Sequence, residues 1–595
     1  MRIFVLLSTL AFGLSAASAP EGAELYRQHC SACHTRPAAP RVPNEAALRN
    51  LSTRRIVQSL DTGIMMMPGR RVTPDGRRAI AEFLTGRKLA DDPLPTLAGT
   101  CSEPVALRPN APRWTGWSAS SGNTRYLAMG GPAVSSLSKL RLRWAFGFEG
   151  DVVAFAHPAV FGGRVFTGSA AGDVWALDSK SGCTIWRFGA DTGVRTAPVI
   201  WQEPGGRTVL FVGDLQSNLY ALDAADGTLI WRKRLDPHPV ARLTAAPALH
   251  DGKLYVPVSS FEEGMGSDPT YACCTFRGSV AALDAATGTE LWRRYLVPAA
   301  ARPTRKNSSG VQLFGPSGVA VWSTPTVDAP RGLVYVTTGD NYTDPATDLS
   351  DAVLALRLRD GAIAWSRQVT PGDTWNAACM GDKINCPEEE GPDHDFGSPA
   401  MLVRTEAGRE LIIAAQKSGV VYALDPDRAG RIIWEARAGK GGLLGGIQWG
   451  PATDGRYVYA PISDVVIPEA ATTGGGLVAL RVETGKEVWR AAPASCGERR
   501  PCSPAQMAAA TVIPGAVFSG ARDGVMRAYS TETGKVLWSF DTVRSFTTVN
   551  GVEAKGGSID GPGAVVAEGL VLIPSGYSYW GGMPGNVLLA FEAAP

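Results

Sequence analysis

Near the start of the chain, two cysteines and a histidine stand at a spacing that can hold a haem. The run Cys30-Ser31-Ala32-Cys33-His34 is the C-x-x-C-H signature of covalent haem c attachment. Its two thiols add across the haem vinyl groups, and His34 then ligates the iron. A disulfide or a zinc site is the alternative, but the motif opens a small unit over residues 20–88 with a helical pattern, which favours haem c.

A methionine-rich run provides the second axial ligand if this unit is a class I cytochrome c, which it resembles. In that family a methionine from a later loop binds the iron opposite the histidine. Met65 and Met67 both lie shortly before a predicted helix over residues 75–85. Met65 fits the usual distance to that helix and is preferred, whereas Met67 fits the common Met-Pro pairing. Thioether ligation raises the iron potential, which suits an electron carrier.

Most of the remaining chain repeats one unit, of which Leu222-Asp-Ala-Ala-Asp-Gly-Thr-Leu-Ile-Trp231 is a clear copy. Each copy predicts a strand end, a tight Asp/Gly turn and a second strand closing on tryptophan. The copies span residues 177–186, 222–231, 283–292, 356–365, 424–434, 480–489 and 529–538. The terminal tryptophans recur at the spacing of four-stranded propeller blades with insertions.

The two ends of this repeat region complement each other. Residues 137–148, with Trp144, predict an outer strand, and residues 586–591 predict an inner one. If the first strand completes the last blade, the ring closes without an unpaired edge. The sequence therefore predicts an all-β propeller of eight blades, with seven as the alternative, in which the repeat tryptophans fill the gaps between blades.

The chain opens with an export signal. Arg2, an apolar run over residues 3–14 and small residues before Pro20 predict a signal peptide over residues 1–19. The apolar run is too short for the competing interpretation, a membrane span. The balance of 58 Lys and Arg against 56 Asp and Glu, with no polybasic run, argues against nucleic acid or an anionic membrane as a partner. The expected location is the periplasm.

Residues 89–113 are rich in Pro and predict a linker, after which a propeller domain fills residues 114–595. Ten cysteines fit an oxidising compartment, and two of them belong to the haem motif. The candidate disulfides are Cys379–Cys386 and Cys496–Cys502, which close short loops, Cys101–Cys183 as the remaining pair, and the adjacent Cys273–Cys274. Two unrelated thiols are the alternative for that adjacent pair.

Together, the haem unit, the repeats and the adjacent cysteines resemble the quinohaemoprotein alcohol dehydrogenases that carry pyrroloquinoline quinone (PQQ). The resemblance covers nearly the whole mature chain, and it implies PQQ on the propeller axis with a calcium ion beside it. The motifs that carry it are Gly193-Val-Arg195, Leu243-Thr244-Ala-Ala-Pro247, Ser259-Ser-Phe-Glu-Glu263, Tyr271-Ala-Cys273-Cys274-Thr-Phe-Arg277, Val321-Trp322-Ser-Thr-Pro, Gly339-Asp340-Asn341-Tyr342, Gly391-Pro-Asp393-His-Asp395-Phe396 and Gln416-Lys417-Ser-Gly419.

Site residues follow from this resemblance, motif by motif. The implied quinone contacts are Arg195, Thr244, Cys273, Cys274, Trp322 and Lys417. The implied calcium ligands are Glu263, Asn341, with Asp340 as its alternative, and Asp393. Asp393 is also the implied general base, with Asp395 second, and Lys417 is implied to bond the reactive carbonyl.

Two departures from the methanol-oxidising members shift the resemblance toward the polyvinyl alcohol dehydrogenases. The adjacent cysteines follow Glu263 instead of lying in an earlier blade, where this chain has Gly189-Ala190. The position of a quinone-contacting glutamate falls in Phe155-Ala-His157-Pro158. These departures put in doubt the cysteine ring as a contact above the quinone.

The resemblance implies oxidation of alcohols, with secondary alcohols such as polyvinyl alcohol as the expected substrates. Hydride passes to PQQ, and electrons pass singly to the haem and then to an external carrier such as a cytochrome. The alternatives are a dehydrogenase of sugars or short-chain alcohols, and a non-catalytic propeller scaffold with an electron-transfer haem unit.

Overall fold

The computed structural model describes residues 19–35, 42–61, 65–69, 71–92, 97–108, 113–465, 474–499 and 501–594. The chain divides into two compact units, Met1–Thr96 and Leu97–Pro595. Apart from Ala19, the predicted signal peptide lies outside the described residues. None of the helices in those residues is long and apolar enough to cross a membrane.

The first unit is helical around the haem motif. Its helices are Ala19–His29, Ser31–His34, Glu45–Arg49, Thr53–Asp61, Met66–Gly69 and Pro74–Thr85, followed by a 3-10 turn, Leu89–Asp91. Thr73 caps the helix Pro74–Thr85 at its start, and Gly86 ends it at φ +66°. The first helix approaches it closely at Gly22, where an added Cβ would lie 2.1 Å from the Ala79 carbonyl oxygen. The small core includes Tyr26.

The second unit is a propeller of eight four-stranded antiparallel sheets, which confirms the predicted fold. We number the blades in chain order by their first strand. Blade 1 contains Ala159–Phe161, Arg164–Gly168, Asp173–Asp178 and Thr184–Gly189; blade 2 contains Val199–Gln202, Thr208–Gly213, Asn218–Asp223 and Leu229–Arg234; blade 3 contains Ala248–His250, Lys253–Ser260, Ser279–Asp284 and Glu290–Tyr295; blade 4 contains Thr326–Asp328, Leu333–Thr337, Ala352–Arg357 and Ile363–Gln368.

The remaining blades follow the same antiparallel order. Blade 5 contains Met401–Arg404, Glu410–Ala415, Val420–Asp425 and Arg431–Arg437; blade 6 contains Ala452–Thr453, Tyr457–Pro461, Leu477–Arg481 and Glu487–Ala491; blade 7 contains Thr511–Ile513, Ala516–Gly520, Val525–Ser530 and Val536–Asp541; blade 8 contains Val565–Ala567, Leu570–Ser575, Val587–Ala593 and Leu140–Gly147. Short additions are the helix Glu262–Met265, the 3-10 turns Val134–Lys139, Ala377–Met380, Pro426–Arg428 and Tyr579–Gly581, and the strands Ala241–Arg242, Arg302–Lys306, Gln312–Gly315, Ser317–Gly318, Asn341–Thr343, Ser545–Phe546 and Ala554–Lys555.

Blade 8 closes the ring with strands from both ends of the repeat region. Leu140–Gly147 pairs antiparallel with Val587–Ala593, from Leu140 opposite Ala593 to Gly147 opposite Val587. It forms the outer edge of the sheet, as predicted. The closure also covers apolar surface, because Trp144 and Phe591 belong to one buried cluster.

The repeat tryptophans join each blade to the next one. Six of them donate their indole N–H to a backbone carbonyl of the following blade at 2.8–3.1 Å: Trp144, Trp186, Trp231, Trp292, Trp434 and Trp489. The turn glycine of that next blade lies under the ring. At Gly534, with φ +67°, an added Cβ would lie 2.5 Å from Trp489. The repeat is therefore conserved between copies as a docking joint of tryptophan and glycine.

The cysteines pair as predicted. Disulfides join Cys379 to Cys386, Cys496 to Cys502, Cys101 to Cys183, and Cys273 to Cys274. Part of the predicted linker runs along blade 1, where the Cys101 amide donates to the Thr184 carbonyl at 3.0 Å.

Candidate functional site

The haem motif lies at the junction of the first two helices. Cys30 immediately precedes the short helix Ser31–His34, and neither Cys30 nor Cys33 belongs to a disulfide. His34 is buried, and its Nδ1 lies 2.7 Å from the carbonyl oxygen of Pro43. A carbonyl only accepts, so Nδ1 carries the proton and Nε2 keeps its lone pair for a metal. These three residues fit covalent haem c.

The two candidate methionines differ in what the structure describes. Met65 packs against the helical core that contains Tyr26 and Leu60. Met67 lies in the helix Met66–Gly69, but its side chain is outside the described residues. Both remain predicted ligands.

A narrow cavity lies on the propeller axis, where segments just before the first strands of several blades converge. Its volume is only about 30 Å³, because the side chains of the lining close on one another. Its lining includes three predicted quinone contacts, Arg195, Thr244 and Trp322. Arg195 stacks on Trp449, with the guanidinium carbon 4.4 Å from the ring centroid. Aromatic walls with a cation in one side suit a flat anionic ligand.

The Cys273–Cys274 disulfide does not appear on the cavity lining. Both cysteines are completely buried in an apolar cluster with Ala246 and Ala320, and Trp322 packs against the same cluster. The pair therefore lies behind the wall of the cavity, in agreement with its displaced position in the sequence.

Beside Trp322, a buried lysine holds two carboxylates. Lys417 donates from Nζ to Asp393 Oδ1 at 2.6 Å and to Asp395 Oδ2 at 2.8 Å. Its ammonium lies 5.6 Å from the Trp322 ring centroid, which places the cluster against the cavity wall. Asp393 adopts φ +54°, a left-handed backbone that is costly for a side chain larger than glycine. Such strain is often found at functional positions.

Asp373 fixes the loop that carries these carboxylates. Its oxygens accept from the amides of Asp393 at 3.0 Å and His394 at 2.8 Å. With one oxygen of Asp393 bound by Lys417, the other, Oδ2, is buried and has no hydrogen-bond partner among the described residues. An unpaired carboxylate oxygen in such a place is expensive unless it binds a proton or a cation.

Asn341 and Asp340 have opposite environments. The Asn341 side chain donates to the Ser317 carbonyl at 3.0 Å and accepts from the Thr347 amide at 2.7 Å and hydroxyl at 3.2 Å. Its polar atoms are thus already used. Asp340 Oδ2, in contrast, is buried without a partner in the part of the chain that the structure describes.

The cluster contains more carboxyl groups than basic groups. Burial raises the pKa of Asp340 well above its usual range, and Asp395 and Glu263 raise it further. Burial also raises the pKa of Glu263 to about 7, with Asp395 adding to the shift and Lys417 opposing it. Burial alone would lower the pKa of Lys417, but Asp393, Asp395 and Glu263 outweigh it and raise the pKa. The arrangement favours an added cation.

Several cavity residues escaped the sequence analysis. Trp117 and Trp449 line the cavity, and Trp449 donates its indole N–H to Asp560 Oδ1 at 2.6 Å. A signal was present, because Trp117, Trp322 and Trp449 all lie outside the repeat copies. Five other tryptophans that neither end a repeat nor close the ring are absent from the lining, so this signal alone could not select the three.

Family comparisons agree with this organisation. Residues 114–438 match the family described as glucose/ethanol/alcohol dehydrogenase, beta-propeller domain. Residues 417–569 match the outer membrane protein assembly factor BamB, and residues 17–84 match the cbb3-type cytochrome c oxidase subunit III. The first and last of these identify a PQQ propeller and a cytochrome c unit.

Individual relatives narrow the family. The chain is 38% identical to polyvinylalcohol dehydrogenase of Sphingopyxis sp. (strain 113P3), over 96% of this chain and 92% of that protein. It is 36% identical to polyvinylalcohol dehydrogenase of Pseudomonas sp., over 98% of this chain and 96% of that protein. The crystal structure of quinohemoprotein alcohol dehydrogenase from Comamonas testosteroni shares the fold, with a TM-score of 0.59, 20% identity and 81% of each chain covered. The chain therefore belongs to the PQQ-dependent alcohol dehydrogenases that carry a cytochrome c unit, and among them it groups with the polyvinyl alcohol dehydrogenases.

Proposed function

We propose that this protein is a periplasmic dehydrogenase that oxidises secondary alcohol groups, those of polyvinyl alcohol above all, to carbonyl groups. Two electrons leave the alcohol with a hydride and pass singly through haem c to an external carrier such as a cytochrome. The relatives that match nearly the whole chain are named for polyvinyl alcohol, which supports this substrate.

The free Oδ2 of Asp393 is the observation that carries the proposal. It belongs to a buried carboxylate, it has no partner within the described ranges, and its cluster lies against the Trp322 wall of the cavity. A carboxylate in this state is a suitable base for a hydroxyl proton, because no hydrogen bond competes for the oxygen.

The aromatic and cationic lining suits PQQ, although the cavity of about 30 Å³ must open to admit it, and bound PQQ would supply the hydride acceptor. Trp322 would support the flat ring system, and Arg195 would pair with its carboxylates, since Arg195 Nη2 is buried and without a partner in the described chain. Thr244 would contact the ring edge, although its hydroxyl also lies 2.9 Å from the Ser259 hydroxyl.

The chain's own residues handle the proton. Lys417 binds Asp393 through Oδ1, which leaves Oδ2 to receive the proton of the alcohol. Lys417 also holds Asp395, whose other oxygen accepts from the Asp340 amide at 2.7 Å. Asp395 thereby connects the base to the candidate cation ligands and fixes their positions.

We propose Glu263 and Asp340 as the residues that would hold calcium, with Asp340 replacing Asn341 and Asp393 kept as the base. The oxygens of these three carboxylates do not all lie within 4.8 Å of one another, so the ion would have to draw its ligands together. Asp340 keeps a buried oxygen, Oδ2, without a partner among the described residues. Calcium prefers such oxygen ligands, and its charge would offset the cluster's excess of carboxylates. It would supply a Lewis acid beside the quinone.

The haem unit would transfer the electrons of the oxidation to the external carrier. Cys30 and Cys33 would hold haem c covalently, with His34 and either Met65 or Met67 as axial ligands. Haem c accepts electrons one at a time, so the unit would convert a two-electron oxidation into single-electron steps for the carrier.

The visible spectrum of the haem tests the function directly. Oxidised protein is loaded with PQQ and calcium, and the haem spectrum is followed after addition of polyvinyl alcohol, a short secondary alcohol, ethanol or glucose. We expect reduction only with PQQ, calcium and an alcohol all present, fastest with the secondary alcohols. A haem that dithionite reduces but no alcohol does would overturn the dehydrogenase proposal. Faster reduction by glucose or ethanol would overturn the substrate proposal.

A further inference from the structure

Arg522 occupies the position in blade 7 that Lys417 occupies in blade 5. Each is the second residue of the turn between the second and third strands of its blade, and each turn closes on a left-handed glycine, Gly419 at φ +80° and Gly524 at φ +79°. Both cations are buried. Because equivalent turns of a propeller have the same orientation to its axis, Arg522 also points toward the axis.

Lys417 binds carboxylates, whereas Arg522 binds backbone. Its Nη2 donates to the carbonyl of Trp580 at 2.6 Å and lies 3.4 Å from the carbonyl oxygen of Tyr579. These two residues belong to the segment that joins the second and third strands of blade 8. We call residues 577–582 of that segment the covering turn. Proton transfer at Asp393 makes no use of this contact.

The covering turn lies behind the wall of the axial cavity. Its Tyr577 is buried in one apolar cluster with Phe155, and Trp449 and Tyr579 pack against that cluster. The Tyr579 ring is stacked on Phe155, with centroids 6.4 Å apart and an angle of 14° between the planes. Phe155 and Trp449 both line the cavity. A movement of the covering turn would therefore free two residues of the wall.

The tip of the covering turn is strained. Trp580 adopts φ +54° and ψ +37°, a left-handed backbone that is costly for a bulky side chain, and it is 48% exposed. Such strain persists only where surrounding contacts hold it, and it is typical of segments that change conformation. Arg522 supplies such a contact, because it donates to the carbonyl of the strained residue itself.

Asp560 holds the guanidinium from the side of the axis. Its Oδ2 lies 3.9 Å from Arg522 Nη1, and its Oδ1 accepts from the indole N–H of Trp449 at 2.6 Å. Both members of this ion pair are buried, so salt screens their attraction little. Arg522 thus connects the covering turn to the Trp449 side of the cavity.

The cavity needs a wall that can move. Cavities that hold ligands of the size of PQQ usually measure about 300–1,000 Å³, and this one measures about 30 Å³. Ala197, Thr324 and Pro399 in its lining each lie two residues before the first strand of a blade, so their movement would disturb a sheet. The covering turn lies between strands, and its movement leaves the four-stranded sheet of blade 8 intact.

We propose that the covering turn is the gate through which PQQ reaches the cavity, and that Arg522 is the positioning residue that holds this gate closed. The inference rests on the assignment of the cavity to PQQ. Arg522 acts on the backbone of the covering turn and takes no part in the chemistry of the alcohol.

The rates of PQQ binding test the gate without turnover. Protein free of PQQ is mixed with PQQ and calcium, and the fluorescence of its 16 tryptophans reports association and dissociation. Loss of the hydrogen bond in Arg522→Met should raise both rate constants about tenfold. The Kd should stay within about threefold of the wild type, because the two changes cancel.

Two further variants serve as controls. Arg522→Lys keeps a charged donor and should stay within about threefold of the wild type in both rate constants. Arg294→Met removes an arginine that donates to the Gly361 carbonyl at 2.9 Å, in a turn of the neighbouring blade away from the cavity lining, and should leave both rates unchanged. Arg522→Gln, which is shorter and uncharged, replaces Arg522→Met if that variant does not fold.

The outcomes separate the gate from the cofactor assignment. Equal association rates for the wild type and Arg522→Met would overturn the gate, even if dissociation becomes faster. Equal acceleration in Arg522→Lys and Arg522→Met would show that donation to the covering turn is not responsible, and the inference would fall. If the wild type does not bind PQQ, the cofactor assignment fails and the inference fails with it.

Hydrogen exchange observes the gate in the absence of PQQ. We expect the amides of residues 577–582 to exchange about tenfold faster in Arg522→Met than in the wild type, with unchanged exchange in the strands of blades 7 and 8. Unchanged exchange in the covering turn would contradict the role of Arg522. Faster exchange throughout both blades would indicate a general loss of stability and would also overturn the inference.

Discussion

The joints between blades and the centre of the propeller both depend on tryptophan, but they treat polar groups differently. At the joint between blades 6 and 7, Trp489 donates to the Thr531 carbonyl at 2.8 Å. At the axis, Asp340, Asp393 and Arg195 each keep a buried polar atom without a partner in the described residues. Six of the joints are complete within the chain, whereas the axis keeps several unpaired polar atoms together and requires ligands to complete it.

This difference separates stability from function. A satisfied joint contributes to folding as soon as the blades meet, whereas an unpaired buried group costs free energy until a ligand binds. We therefore expect changes at the axis to affect activity and ligand-dependent stability, and changes at the joints to affect the free energy of unfolding alone.

Removal of the base should have the largest effect. We expect Asp393→Asn to slow alcohol-dependent haem reduction about 10³-fold, or ~4 kcal/mol, because an amide cannot take the proton. PQQ should still bind. The control is Asp360→Asn, an exposed aspartate in a blade turn, which should leave the rate unchanged. More than a tenth of the wild-type rate in Asp393→Asn would show that Asp393 is not the base.

Removal of the cation should make stability depend on pH. Without it, the pKa of Glu263 is about 7 instead of 4.5, so the folded state holds a proton that the unfolded state has lost. The free energy of unfolding then falls as pH rises between these values. At a concentration one hundred times its Kd at pH 8, calcium should raise the free energy of unfolding by ~2.7 kcal/mol at pH 8. The same concentration should raise it by less at pH 5. Thermal unfolding with calcium and with a chelator, at pH 5 and at pH 8, measures the stabilisation by calcium. Equal stabilisation at the two pH values would contradict the proposed calcium site.

A glycine at a joint tests the docking contact. Gly534→Ala places a Cβ 2.5 Å from Trp489, in addition to the strain of φ +67°. We expect a loss of ~2 kcal/mol or more in the free energy of unfolding, from backbone strain and overpacking. Gly332→Ala is the matched control, since Gly332 has φ +65° and nothing near its Cβ position. Equal losses in urea unfolding would show that the ring contact is unimportant.

The smallest effect should separate two tryptophans of the same repeat. Trp365 follows the pattern in sequence, but its buried N–H has no partner in the described chain. We expect Trp489→Phe to cost ~1 kcal/mol more than Trp365→Phe, because only Trp489 loses a hydrogen bond. Urea unfolding of both variants gives the difference, and equal losses would mean that ring packing alone holds the joints.

Local patterns predicted the fold well. The repeat specifies its own turn and tryptophan, and the complementary strands at both ends predicted the closed eight-bladed ring. The haem motif and three of the cysteine pairs were also accessible, because close spacing in sequence limits their geometry. Cys101 and Cys183 lie 82 residues apart and were paired only as the remaining cysteines. What the repeats could not provide was the identity of the residues that line the axis, which come from irregular segments between blades.

Asp340 and Asn341 show why the site was harder to predict. Neighbouring residues in an extended segment point in opposite directions, so a motif that locates the segment leaves open which side chain faces the site. Here Asn341 bonds to Ser317 and Thr347, and Asp340 is the one with an unpaired oxygen.

The shared eighth blade also bears on how the protein is made. Blades 1 to 7 each consist of consecutive strands, so they can assemble in order as a chain emerges from its N-terminal side. The strand Leu140–Gly147 is made early but must wait for Val587–Ala593. A chain interrupted before Val587 would keep an exposed strand edge, which invites aggregation and proteolysis. Ring closure thus acts as a check that the whole propeller has been synthesised.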